Sequence, residues 1–242
     1  MQNANNVRTS ALLASLGWLE HAFLPAGMAP PEEAACGHQR HSPTVVMSEA
    51  AFPRKQCEAD GVIATGSRPV AVYTADCLPV LIADTRHHHV AAVHAGLKGA
   101  LAGVLSQAVN RLCALGATRD SLFVAIGPAI APCCYELGED MLRTITANPR
   151  VTAPQWSSTQ PVNPHAVRPQ ARATNQGIWF DLPALGQQML LDMKIPAAQI
   201  EVLPVCTYCS AESQSSYRRN GHFSDGYALR YSWIQRRASS QP

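Results

Sequence analysis

The chain has 242 residues, of which 47% are apolar and 15% charged, with a formal net charge of +2. That length and apolar content suffice for one large α/β domain with a substantial core. The nearly balanced charge argues against nucleic acid or an anionic membrane surface as the main partner, and no stretch approaches the roughly 20 apolar residues of a membrane span.

The first ten residues are polar and are expected to fray. An apolar run over 11–19 behind Arg8 has the outline of a signal peptide, but Glu20 and His21 interrupt it and no clean small-residue cleavage site follows. Leu12, Leu13, Leu16 and Leu19 stand at near-helical spacing, which predicts a short helix or turn. The eight cysteines are irregularly spaced in a chain too large for a disulfide-stapled scaffold. The expectation is therefore a reduced, cytoplasmic protein. Residues 25–35 are rich in proline and small side chains and read as loop. β-prone runs follow at 44–47 and 62–65, and a further strand starts at Val70.

Residues 73–99 hold the most informative pattern. Two apolar runs, 78–83 and 90–93, flank a polar Asp84-Thr85-Arg86-His87 segment and predict a β-hairpin. With the turn centred between Thr85 and Arg86, Cys77 falls opposite His94. Directly opposed residues share a face with Cβ atoms about 4.5–5.5 Å apart. A thiolate and an imidazole so placed are two ligands of a zinc-type site, whereas a one-residue slip would separate them. Singly, each has a blander reading, His94 as a hydrogen-bonded core residue and Cys77 as a small apolar one.

Beyond the hairpin, the apolar spacing of Leu101, Val104, Leu105, Ala108, Val109 and Leu112 predicts a helix closed by Gly116. A strand at 122–126 ends in Gly127-Pro128, and a second helix is expected near 138–146. Residues 148–176 have little periodicity and read as a long surface excursion. Trp179-Phe180-Asp181-Leu182 starts another helix with Asp181 as N-cap and Pro183 in its first turn. A strand is expected at 200–205, and residues 216–219 and 227–234 read as a last strand-like stretch. The mixture lacks a βαβ rhythm or repeat and predicts an α/β (α+β mixed) fold with a mixed sheet in layers.

A catalytic zinc needs a third protein ligand and an open position. The candidates outside the hairpin are His21, His38, His41, His165 and His222. The His87-His88-His89 run falls at the predicted turn and reads as exposed loop. Cys206-x-x-Cys209 has zinc-ribbon or redox spacing, but no second CxxC completes it. Cys133 and Cys134 are adjacent, so a structural zinc is not expected, and no CxxC opens a helix in a thioredoxin-like setting. Gly96-Leu97-Lys98-Gly99 at a helix start can hold an anion through free N–H groups and the Lys98 charge. It is far weaker than a complete phosphate-loop signature. Arg218 and Arg219 could add guanidinium groups around a phosphate.

Five ordered blocks carry a family resemblance: ADGVIATGSRPVAVYTADCLPVLIAD, AAVHAGLKGAL, IGPAIAPCCYELGED, WFDLPALG and CTYCSAESQSSYRRNG, within residues 59–221. Together they resemble the YfiH family, also called the laccase-domain or multicopper polyphenol oxidase-like family. The resemblance implies one domain over 1–242 around a central mixed sheet, with residues 1–35 poorly matched. It implies a zinc held by His41, Cys77 and His94, with copper as the alternative metal. The chain departs from the pattern in reading QRHS for QVHG, HAGLKG for HAGWRG, and Asp225-Gly226-Tyr227 without the arginine of a TGR-like element.

The family's name suggests copper-dependent phenol oxidation, but a multicopper site needs about four coppers, and no repeated His-x-His pairs occur here. The activity credited to similar members is phosphorolysis of adenosine, inosine and methylthioadenosine to free base and sugar 1-phosphate, with companion adenosine deamination. The implied partners are a purine nucleoside and phosphate, and the expected state is a monomer or weak homo-oligomer. On that reading Cys77, His94 and Lys98 serve catalysis, and Tyr135, Arg218 and Arg219 bind substrate. Two other classes compete: a cysteine hydrolase with Cys77 as nucleophile and His94 as base, and a non-catalytic metal-binding protein.

Overall fold

The computed structural model describes residues 6–174, 177–212 and 214–238. In chain order a one-turn helix α1 (Ala11–Ala14) leads to six strands: β1 (Leu19–Phe23), β2 (Val45–Met47), β3 (Gly61–Ala64), β4 (Val70–Thr74), β5 (Leu78–Asp84) and β6 (Val90–Ala95). Helices α2 (Leu97–Ala102) and α3 (Val104–Ala114) follow, then β7 (Leu122–Ile126), β8 (Glu136–Leu137) and α4 (Glu139–Thr146). The remaining elements are β9 (Trp156–Ser157), β10 (Ile178–Phe180), α5 (Leu182–Asp192), β11 (Ile200–Val202), α6 (Tyr217–Phe223) and β12 (Arg230–Arg236).

Six strands form a mixed sheet in the order β11-β7-β5-β6-β3-β2, parallel at its two edges and antiparallel between. Period-2 alternation splits its side chains between two cores. Val80, Ile82, Ala91, Val93, Val124 and Ile126 pack on one side with α2, α3 and α5. Leu81, Ala83, Val90, Ala92 and Ala125 pack on the other against an antiparallel sheet of β1, β12 and β4. Both faces are covered, so β5 and β6 are buried along their whole length and read as continuous apolar runs. The layered mixed α/β fold is the one expected. Among the described residues no helix is long and apolar enough to cross a membrane.

The hairpin forms, but its register differs from expectation. Leu78 pairs with Ala95 and Pro79 with His94, centring the turn between Arg86 and His87. Asp84 moves the centre: its carboxylate accepts the backbone N–H groups of Arg86 and His87, and its own N–H reaches the His89 carbonyl. The slip is two residues, so parity is preserved. His94 lies opposite Pro79, on the face that Cys77 also occupies.

Other expectations are corrected locally. The helix predicted over 101–112 is the second of a pair, because Gly103 adopts φ 99° between α2 and α3. Residues 178–180 are a strand, and the helix starts one residue after Asp181, which caps it as predicted. Residues 216–219 are not strand but the start of α6: the Ser216 side chain accepts the Arg219 N–H, and Asp76 accepts the Arg218 N–H. Two capped donors outweigh the strand bias of an isolated aromatic. Fraying does not extend to residues 8–10, since Arg8 exchanges two backbone bonds with Phe23 and Ser10 is buried against Glu201. Residues 1–5 lie outside the described residues.

Candidate metal centre

Asp60, at the entry to β3, builds the site. The backbone N–H groups of Arg40, His41 and Ser42 and the Ser42 hydroxyl all donate to its carboxylate, at 2.7–3.0 Å. Consecutive N–H groups folding around an anion form a nest, which needs a left-handed residue, and His41 supplies it at φ 59°. The other half of the grip is His94, whose Nδ1 lies 2.7 Å from Asp60 Oδ1 while its N–H donates to the Asp60 carbonyl. Burial pushes the Asp60 carboxyl upward, but the bonds from His94, Ser42 and Arg40 outweigh it and hold the group well below the usual carboxylate range. An ionised Asp60 fixes the proton on Nδ1 of His94 and leaves Nε2 free as a donor atom.

The third group arrives on the residue before β5. Cys77 Sγ is 3.6 Å from His41 Nε2, and the rings of His41 and His94 meet edge to face at 4.7 Å between centroids. One ligand atom from each of His41, Cys77 and His94 lies within 4.8 Å of the others. Gly96 keeps the space between them open, since a Cβ there would stand 2.6 Å from Cys77 Sγ and 2.7 Å from His41 Cδ2. One thiol, two imidazoles and an outer carboxylate suit zinc, and imidazole also suits copper. Burial, reinforced by Asp76 and Asp60, pushes the Cys77 thiol up to about 12, while burial and His94 lower His41. A cation binding through Cys77 would displace the proton from its sulfur.

Two clefts open from the centre. One, of about 410 Å³, is lined by Gln39, Tyr73, Tyr217 and Tyr227 together with the three donor residues. The other, of about 320 Å³, is lined by His41, Cys77, Lys98, Tyr135, Met141 and Arg218. Arg218 is held there by its Nη1 bond to the Glu136 carbonyl at 2.8 Å and by its position over the Tyr135 ring. Asp76, itself at φ 92°, accepts from Thr207, Ser216 and the Arg218 N–H, tying the Cys77 strand to α6.

Of the residues singled out by sequence, the structure clusters His41, Cys77 and His94, and places Lys98, Tyr135 and Arg218 around one cleft with His41 and Cys77. Arg219 turns elsewhere, onto Tyr208, Phe223 and the Asp225 carboxylate. His38 contributes backbone bonds to Cys57 and Ala59, and His21 accepts from the Ser10 N–H. His222 bonds Tyr208. Asp60, Gly96 and the tyrosine-lined wall were not anticipated. The only sign of Asp60 was its place in the first matched block.

Residues 20–235 match the family described as multi-copper polyphenol oxidoreductase laccase. The chain belongs to that family. A protein named purine nucleoside phosphorylase from Synechocystis sp. is 35% identical over 66% of this chain and 63% of its own length. The chain thus spans under two thirds of that relative. A protein named adenosine deaminase from an unknown prokaryotic organism is 28% identical over 76% of this chain and 68% of its own. The crystal structure of Bacillus licheniformis hypothetical protein YfiH shares the fold at a TM-score of 0.74 and 20% identity, covering 96% of this chain and all (100%) of that one.

Proposed function

We propose that this laccase-family chain is a zinc-dependent purine nucleoside phosphorylase with companion adenosine deaminase activity. It would act on adenosine, inosine and methylthioadenosine in the cytoplasm. The observation that carries the reading is the position of the three-donor centre between an aromatic cleft and a cationic one. Tyr73, Tyr217 and Tyr227 would give a flat heterocycle an aromatic wall on one side. Lys98 and Arg218 offer positive charge to phosphate on the other. His41, Cys77 and His94 would hold the metal, with Asp60 orienting the His94 imidazole and gripping the His41 backbone. A bound zinc supplies Lewis acidity at the junction of the clefts.

Phosphorolysis joins a phosphate oxygen to the ribose anomeric carbon as the bond to the base nitrogen breaks. Arg218, fixed on Tyr135 and the Glu136 carbonyl, would orient the phosphate, and Lys98 would neutralise its charge. The names of the relatives agree with this chemistry, as does the match of donor set to zinc.

The competing cysteine-hydrolase reading asks Cys77 to be a nucleophile, yet burial pushes its thiol up to about 12, away from the thiolate form. Its nearest imidazole nitrogen belongs to His41, and His94 is engaged by Asp60. The deciding experiment is metal analysis followed by incubation with adenosine or inosine, with and without phosphate. Phosphate-dependent release of free base is the expected result. Phosphate-independent conversion of adenosine to inosine alone would leave only the deaminase, and oxidation of phenols without nucleoside turnover would restore the copper oxidase. Bound metal with no turnover of either kind would leave a binding protein. Inactivation by iodoacetamide that chelators do not mimic would favour the hydrolase.

A further inference from the structure

The sulfurs of Cys133, Cys134, Cys206 and Cys209 all lie within 4.8 Å of one another, and every one of these residues is buried. The fold brings them there through the parallel pairing of β7 with β11. The two parallel strands leave the sheet at the same end and stay paired beyond it: Ala129 bridges Cys206, its N–H donating to the Val205 carbonyl and its carbonyl accepting from Thr207. Cys133 and Cys134 sit in the turn that follows, where the N–H groups of Cys134 and Tyr135 both reach the Ala131 carbonyl.

The geometry points to a second metal site, a closed tetrathiolate centre of Cys133, Cys134, Cys206 and Cys209 that takes one zinc ion. Zinc–sulfur bonds of about 2.3 Å in a tetrahedron set sulfur–sulfur edges of about 3.8 Å. Cys133 Sγ and Cys209 Sγ stand 3.9 Å apart. The outer partners that metal thiolates require are also present. Asn163 Nδ2 donates to Cys209 Sγ at 3.2 Å, and the Ala131 N–H to Cys206 Sγ at 3.5 Å. The Arg168 guanidinium bonds the carbonyls of Thr207 and Ser210 across the same turn, bringing positive charge to a centre that four thiolates make negative.

The stretch 148–174 closes the site. Gln160 and Gln170 both donate side-chain N–H groups to the Cys133 carbonyl, and the N–H groups of Val167 and Arg168 donate to the Cys209 carbonyl. Four protein donors leave no open position, so the role is structural. The centre ties the loop that ends in Tyr135 to the loop that leads through Thr207 and Ser216 to Arg218. It thereby sets one wall of the cationic cleft. The inference rests on the cysteines alone and does not depend on the nucleoside reading.

The test uses the full chain purified without chelator, in wild-type form and as the His41→Ala/Cys77→Ala double variant, which removes the open centre and leaves all four cysteines. Metal per chain is read by elemental analysis and native mass spectrometry. Two zinc ions in the wild type and one in the double variant are expected. Cobalt substitution of the double variant should give near-ultraviolet sulfur-to-cobalt charge transfer. Iodoacetamide should spare the four cysteines until chelator and denaturant are added together. A folded double variant without metal would overturn the proposal, as would a mapped disulfide within the cluster or four thiols alkylated in the native state. One iron in place of zinc would overturn the zinc assignment.

Discussion

Two sulfur-bearing clusters, one sharing a cleft with Tyr135 and the other containing its chain neighbour Cys134, differ in almost every respect that matters to chemistry. The His41–Cys77–His94 group offers three donors, is reached from two clefts, and has one carboxylate holding the His94 ring and the His41 main chain. The Cys133–Cys134–Cys206–Cys209 group offers four donors, is buried, and is wrapped by side-chain amides and backbone bonds. Donor count and access separate a centre suited to reacting from one suited to holding. The contrast teaches that a cysteine's meaning depends on what it leaves open around it.

Substitutions sharpen the contrast by separating loss of turnover from loss of stability. The largest effect is expected for Cys77→Ala, which should abolish metal binding at the open centre. Nucleoside turnover should fall by more than about 100-fold, beyond the roughly 10–100-fold that losing an outer partner costs. Thermal unfolding should move little. Full activity in that variant would break the metal mechanism.

Asp60→Asn comes next. It removes the charge that fixes the His94 proton and weakens the bonds from residues 40–42. Metal affinity, measured by competition with a chromogenic chelator, should drop about 10–100-fold. Gln170→Ala probes the sealed cluster instead. It deletes bonds to the carbonyls of Cys133 and Pro161 and the acceptor of the Asn163 N–H. A loss of about 1–3 kcal/mol in denaturant unfolding is expected, with metal content at the open centre unchanged.

The smallest effect is one of pH and lies outside both clusters, as a reference. Burial, opposed by the charge of Glu201, lowers the His21 pKa from its ordinary 6.5. The unfolded chain then binds the proton more readily than the folded one. Stability from this group is complete above pH 6.5 and is lost as pH falls toward the folded value. His21→Gln, which keeps an acceptor for the Ser10 N–H, should flatten that part of the pH–stability curve measured by thermal unfolding.

Much of the open centre was legible because its parts sit close in sequence. Cys77 and His94 belong to one hairpin, and an error of two in register left them on one face. An error of one would have separated them. Asp84 made the difference, since its hold on the turn backbone is invisible to apolar periodicity. The tetrathiolate was missed for the opposite reason. A search for a second CxxC cannot find a contiguous Cys133-Cys134, and only the alignment of β7 with β11 brings the pairs together. The stretch 148–176, of which residues 148–174 are described, reads as surface because most of its inward contacts are side-chain amide bonds from Gln160, Asn163 and Gln170, with Val151 and Ala171 too isolated to make a periodic apolar signal. Helix α6 was misread because its start is fixed by Asp76, far away in the chain.

Asp60 clasps the main chain of one imidazole ligand and the ring of the other, so a displacement of this strand end carries both nitrogens in concert. Their mutual spacing is therefore the stiff dimension of the centre. The sulfur sits on the residue before β5, anchored through Asp76 to α6, so its position follows that helix rather than Asp60.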